Sequence, residues 1–157
     1  MKSLVIYHSK FGNTRQIAEN IADVLKTNGT VQVRTLDEIT SSDFQEASLV
    51  VMGAPTHKMN LPESLRPKIS NLPKKVLKGK YVAAFDTSYQ MSPFLNRLTA
   101  GKKIAQKLRK LGGKLLISPE IFVVKEKEGP LLDGELERSQ TWAQNILAAM
   151  AKKVGFS

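Results

Sequence analysis

Tyr7-His8-Ser9-Lys10-Phe11-Gly12-Asn13-Thr14-Arg15 is the stretch on which the reading of this chain turns. The apolar run Leu4-Val5-Ile6 leads into it, and a helical pattern, Ile17, Ala18, Ile21, Ala22 and Leu25, leaves it. A buried strand that breaks in a polar, Gly-containing turn and passes straight into a helix leaves backbone N–H groups without partners. Those groups and the positive end of the helix dipole form a ready site for an anion, most often a phosphate. A simpler local reading has Asn13 as the helix N-cap with Gln16 completing a capping box. The two are compatible, because a cap and a phosphate use different N–H groups.

Outward from this turn, strand-like and helical segments alternate. Apolar runs lie at Leu4 to Tyr7, Val31 to Val33, Leu49 to Met52, Tyr81 to Phe85, and, with an interruption, Leu115 to Val124. Most are continuous rather than alternating, as in strands buried on both faces of a parallel sheet. Helices are expected over Thr14 to Lys26, Ser42 to Ala47, Pro62 to Leu72, Thr99 to Leu111 and Glu135 to Lys153, with Asn28-Gly29 and Gly112-Gly113 as stops. Five such alternations predict a doubly wound α/β sandwich of one domain spanning residues 1–157. Ser118-Pro119-Glu120 puts a proline in the last strand, which suits an edge and hence the strand order 2-1-3-4-5.

The bulk properties bound the chemistry. The 157 residues are 41% hydrophobic and 24% charged, ordinary for a globular protein, and include no cysteine, so thiol redox chemistry and thiolate metal sites are excluded. No run reaches the length of a membrane span, and the start of the chain does not read as a signal peptide, so a cytoplasmic protein is expected. A net charge of +10 is the unusual feature. Aromatic residues are only 6% and are not interleaved with the basic ones, so nucleic-acid binding is not expected. The helical stretch Lys102 to Leu111 is strongly basic opposite Ile104, Leu108 and Leu111; a solvated face explains that pattern more simply than a docking surface. Trp142, spaced helically with Ile146, reads as core.

In a doubly wound sheet, ligands bind beyond the carboxyl ends of the strands, where strand order reverses. That brings together the loops Ser9 to Thr14, Gly53 to Asn60 and Asp86 to Gln90. They are rich in hydroxyls and amides, not in acid–base pairs, a composition for holding a polar ligand. No HExxH, no His/Asp/Glu cluster and no nucleophile elbow is present, so neither a metal nor a catalytic residue is assigned.

Ser9-Lys10-Phe11-Gly12-Asn13-Thr14 resembles the phosphate loop of the flavodoxin family. Gly53-Ala54-Pro55-Thr56-His57 is similar to that family's second, ring-contacting loop, and Phe85-Asp86-Thr87-Ser88-Tyr89 stands where its third should be. Glu128-Gly129-Pro130-Leu131, followed by Gly134 to Arg138, resembles the junction between its fifth strand and last helix. The resemblance covers essentially the whole chain. It implies a three-layer flavodoxin-like sandwich with a five-stranded parallel sheet, and FMN as cofactor. Ser9, Lys10, Phe11, Gly12, Asn13 and Thr14 would surround the phosphate. Pro55, Thr56, His57, Lys58, Met59, Asp86, Thr87, Ser88 and Tyr89 would line the ring, with Tyr89 stacking on it. His57 and Met59 are candidates for the opposite ring face or ordinary loop residues, and Asp86 either accepts from the ring's N3–H or caps the turn.

Two departures from the family stand out. Phe11 takes a place often held by threonine, and the loop after Thr56 lacks the glycine common there. Lys10 and Lys58, with the overall charge, imply that the fully reduced cofactor forms more easily than in acidic flavodoxins. The implied role is electron shuttling between redox partners that present an acidic patch, by a monomer or weak homodimer. An FMN-dependent quinone or protoporphyrinogen-type oxidoreductase and a non-flavin regulatory module on the same fold are the alternatives.

Overall fold

The structure, a computed structural model, describes residues 1–56, 62–89 and 100–154. Its sheet is built from β1 (Lys2–Tyr7), β2 (Thr30–Thr35), β3 (Leu49–Pro55), β4 (Tyr81–Ser88), β5 (Lys114–Leu115) and β6 (Glu120–Val123), every pair of them parallel. The order is β2-β1-β3-β4, with β5 and β6 both on the outer edge of β4. The expected fifth strand is therefore present at the edge, but in two pieces. Tyr81 and Val82 pair with Lys114 and Leu115, then Phe85 pairs with Glu120, so residues 116–119 stand opposite only residues 83 and 84. Pro119, which has no N–H to give the ladder, lies in that excursion.

Two helices, α1 (Asn13–Leu25) and α5 (Glu135–Lys153), cover one face; α2 (Ser41–Gln45), α3 (Leu65–Ser70) and α4 (Ala100–Lys110) cover the other. Because successive strand side chains point to opposite faces, each central strand feeds two cores. Leu4, Ile6, Val50, Met52, Val82 and Ala84 pack with Phe44, Leu65, Ile104 and Leu108. Val5, Leu49, Val51, Ala83 and Phe85 pack with Ile17, Ile21, Trp142 and Ile146. Trp142 is core, as its spacing predicts. Its ring meets Phe85 and Phe122 edge-to-face, at centroid distances of 6.1 Å for both.

The exposed edge is held by side chains. The Val123 N–H donates to Glu135 Oε2 at 2.7 Å, and Arg138 pairs with both Glu135 and Glu120, donates to the Ile121 carbonyl and covers the Phe122 ring. Burial pushes the Glu135 carboxyl up, but hydrogen bonds from Arg138 and Val123 and the Arg138 charge outweigh it and hold it below the usual range.

Two local expectations are corrected. β3 runs through Pro55 and β4 through Ser88, paired as Ala54 with Asp86 and Pro55 with Thr87, so Gly53 and Asp86 do not begin loops. Polar side chains persist in a buried strand there because each finds a partner. And the N-cap of α1 is Gly12, with φ 93°, which has no side chain to cap with. Asn13 is already helical, so the capping box of Asn13 and Gln16 does not form; one forms instead at α2, between Thr40 and Asp43.

Candidate functional site

The turn between β1 and α1 is closed by one hydroxyl. Ser9 Oγ accepts the Gly12 N–H at 3.0 Å and the Arg15 N–H at 3.3 Å. With both acceptor positions used inward, its own O–H hydrogen meets no acceptor among the described residues. The N–H groups of Asn13 and Thr14, the first of α1, likewise meet none among the described residues. A Cβ built on Gly12 would touch nothing within 4 Å, so the turn is open on that side. No acidic residue occupies the first turn of α1 to repel an anion. Lys10 Nζ stands 5.3 Å from the centroid of the Phe11 ring, which is itself 41% exposed, and adds positive charge beside the turn. Free N–H donors, a free hydroxyl hydrogen, a helix N-terminus and open space fit a phosphate.

The other expected ligands divide between the site and the scaffold. Thr14 and Thr87 are both buried, and their hydroxyl oxygens lie 2.8 Å apart. One of the pair donates and the other keeps its hydrogen for a further acceptor. Asn13 Nδ2 donates to the Glu128 carbonyl at 3.1 Å, so the amide spans to the segment after β6 and spends that donor there. Gly129 packs against it; a Cβ at Gly129 would come within 2.5 Å of Asn13 Oδ1.

Asp86 and Thr56 meet the start of α4. Asp86, fully buried, accepts the Gly101 N–H at 2.9 Å and the Ser88 hydroxyl at 3.4 Å. Thr56 Oγ1 accepts the Ala100 N–H at 3.0 Å. Asp86 thus ties the end of β4 to the first turn of α4. Pro55, partly buried, lies at the end of β3 opposite Thr87. His57, Lys58 and Met59 lie outside the described residues.

Tyr89 follows β4 and is 46% exposed. With Glu126, Lys127 and Glu128 it lines a surface pocket of about 410 Å³. The sequence marks 128–131 as a junction but gives no reason to place Glu126 to Glu128 at the site. Their proximity follows from two long-range contacts, β4 with β6 and Asn13 with Glu128, which no local pattern encodes. His8 is the titratable group at the start of the turn. Its backbone N–H donates to the Gly53 carbonyl at 3.1 Å; burial, then the nearby Lys68 ammonium, push its imidazole below the ordinary value.

These features can be set beside known proteins. The chain matches the flavodoxin family over residues 5–142. It is 31% identical over 107 residues to a flavodoxin from Clostridium saccharobutylicum, an alignment covering 67% of this chain and 62% of that protein. The chain thus spans somewhat less than two thirds of that relative's length. Among solved structures, a flavodoxin from the domain Archaea superposes with a TM-score of 0.71 at 25% identity, covering 99% of each chain. Oxidised flavodoxin 1 from Bacillus cereus superposes with a TM-score of 0.75 at 19% identity, over 94% of this chain and 98% of that one, a likeness of fold. With its sheet order, its two helical layers and a match running from β1 into α5, this chain belongs to the flavodoxin family.

Proposed function

We propose that this protein is an FMN-binding electron carrier that shuttles electrons between redox partners. Flavodoxin family proteins bind FMN. The observation that carries the reading is the Ser9–Thr14 turn: unpartnered N–H groups at Asn13 and Thr14 and the free Ser9 O–H at the start of a 13-residue helix. The flavin supplies the redox chemistry, and the protein supplies binding, orientation and electrostatics.

In this reading the turn takes the phosphate, which near neutral pH carries close to two negative charges. Ser9 donates through its hydroxyl, and Asn13 and Thr14 through their backbone N–H groups, on the side of the turn that Gly12 leaves open. Lys10 adds its field, its ammonium lying over the Phe11 ring. Thr87 holds Thr14, and the Asn13 amide holds the 126–129 segment beside the site. Tyr89 offers a half-exposed aromatic face for the ring, with Pro55, Thr56, Asp86 and Ser88 shaping the strand ends beneath it. His57, Lys58 and Met59 complete the second loop in this assignment.

We read the chain as a single cytoplasmic domain over residues 1–157, acting as a monomer or weak homodimer. Among the described residues no helix is long and apolar enough to cross a membrane. A net charge of +10 favours redox partners with an acidic patch, through faster encounter rather than tighter final contact.

Titration of the apoprotein with FMN, followed by flavin fluorescence and visible absorbance, tests the reading. Stoichiometric quenching, with negligible steady-state turnover of quinones by NAD(P)H, is the expected result. Absence of binding would overturn it in favour of a non-flavin module; rapid quinone turnover would make the protein an oxidoreductase instead.

A further inference from the structure

The positive charge is not spread over the molecule. Residues 64–114 carry thirteen Lys and Arg against a single acidic residue, the buried Asp86, while the rest of the chain carries eleven against thirteen. The backbone gathers part of this excess at one pole. The Leu77 N–H donates to the Leu111 carbonyl, the Lys114 N–H to the Lys80 carbonyl, and Gly112 lies against Lys78. Lys74, Lys75, Lys78, Arg109, Lys110 and Lys114 are thereby brought to the amino end of β4 and β5, all exposed. Among the described residues none of the six takes part in an ion pair. Lys75 is even held at φ 62°, a conformation that glycine would adopt at less cost.

This pole is the wrong place for exchange with the proposed cofactor. β4, from Tyr81 to Ser88, separates it from Tyr89 by about 23 Å at the usual rise per residue. A surface of this composition also lacks what a specific protein interface uses at its centre. Among the described residues the exposed large hydrophobics are Phe11, Tyr89, Leu136 and Val154, none of them in the 74–78 and 109–114 segments that form this pole, and lysine is depleted from interface cores. Five of its six cations are lysines, compact point charges rather than the planar forks that read discrete phosphates and bases. Among the described residues no aromatic side chain lies in the 74–78 or 109–114 segments to stack on a nucleobase.

We propose that this lysine pole is a docking surface for an anionic lipid bilayer, held by charge alone. Bound this way, the protein turns the Ser9–Thr14 end away from the membrane and leaves it open to a redox partner. The attraction is confined to about a Debye length, so it weakens steeply with salt.

The test is co-sedimentation of the full chain with phosphatidylcholine vesicles containing or lacking phosphatidylglycerol. Binding to the anionic vesicles only, and its loss at high salt, is expected. Lys74→Glu/Lys78→Glu/Lys110→Glu should weaken it by more than about a hundredfold, each surface charge being worth roughly a factor of five. Lys102→Glu/Lys103→Glu/Lys125→Glu makes the same change in net charge at the carboxyl end of the sheet, at the start of α4 and just after β6, and should retain most of the binding. Equal loss in the two variants, no sedimentation of the wild-type chain with anionic vesicles, or displacement from them by duplex DNA at equal phosphate concentration would each overturn the proposal. The wild-type arms need no variant to fold.

Discussion

The hydroxyl oxygens of Thr14 and Thr87 lie 2.8 Å apart, both side chains buried, and join the first turn of α1 to β4 across 73 residues of sequence. This one bond couples the Ser9–Thr14 turn to the strand that ends just before Tyr89. Removing one hydroxyl leaves the other buried without its partner. Thr14→Val and Thr87→Val should each destabilise the protein by about 1–3 kcal/mol in urea unfolding. The double variant should cost clearly less than the sum, because neither polar group is then stranded.

Gly53 shows why the second strand end carries a glycine. A Cβ there would come within 2.1 Å of Phe85 Cζ, at the tip of the ring that packs on Trp142 and Phe122. Gly53→Ala should therefore cost about 1–3 kcal/mol through displacement of the aromatic cluster, read by urea unfolding and by the near-ultraviolet signal of Trp142.

The sequence made the architecture legible and the site only in part. Continuous apolar runs located the strands, Pro119 announced the edge, and the Glu135–Lys153 helix ended where its pattern ends. The break between β1 and α1 was legible because a polar, glycine-containing turn between an apolar run and a helical pattern signals it directly. Asp86, Thr87 and Ser88 misled because polarity reads as loop, whereas each is satisfied inside the fold by Gly101, Thr14 or Asp86. The Asn13–Glu128 contact, 115 residues apart, leaves no local trace, and it engages a side chain that sequence alone assigns to the helix cap.

Stability should fall with acid in two steps. The imidazole of His8 is held below its ordinary 6.5, first by burial and then by Lys68. The unfolded chain therefore binds a proton that the folded one resists, and stability, full above pH 6.5, declines below it until the folded value is passed. Glu135 is held below 4.5, burial being outweighed by Arg138 and the Val123 N–H. Its contribution is present above pH 4.5 and is lost as pH falls through the lower folded value. In urea midpoints measured against pH, His8→Asn should flatten the first decline and Glu135→Gln the second.

Charge near the flavin should appear in its potential. Reduction leaves flavin anionic at N1, which the proposed proximity of Lys10 and Lys58 favours. In a potentiometric titration, Lys58→Glu should lower the second one-electron potential by a few tens of millivolts. An unchanged or higher value would remove Lys58 from the ring environment.

The central claim is that the Ser9–Thr14 turn binds the cofactor through its phosphate. Riboflavin carries the same ring without that phosphate, so calorimetric titration of the apoprotein with FMN and with riboflavin isolates the contribution of the turn. Several charge-assisted hydrogen bonds, each worth about 1.5–3 kcal/mol, predict FMN binding at least a hundredfold tighter. Equal affinity for the two flavins would contradict the account.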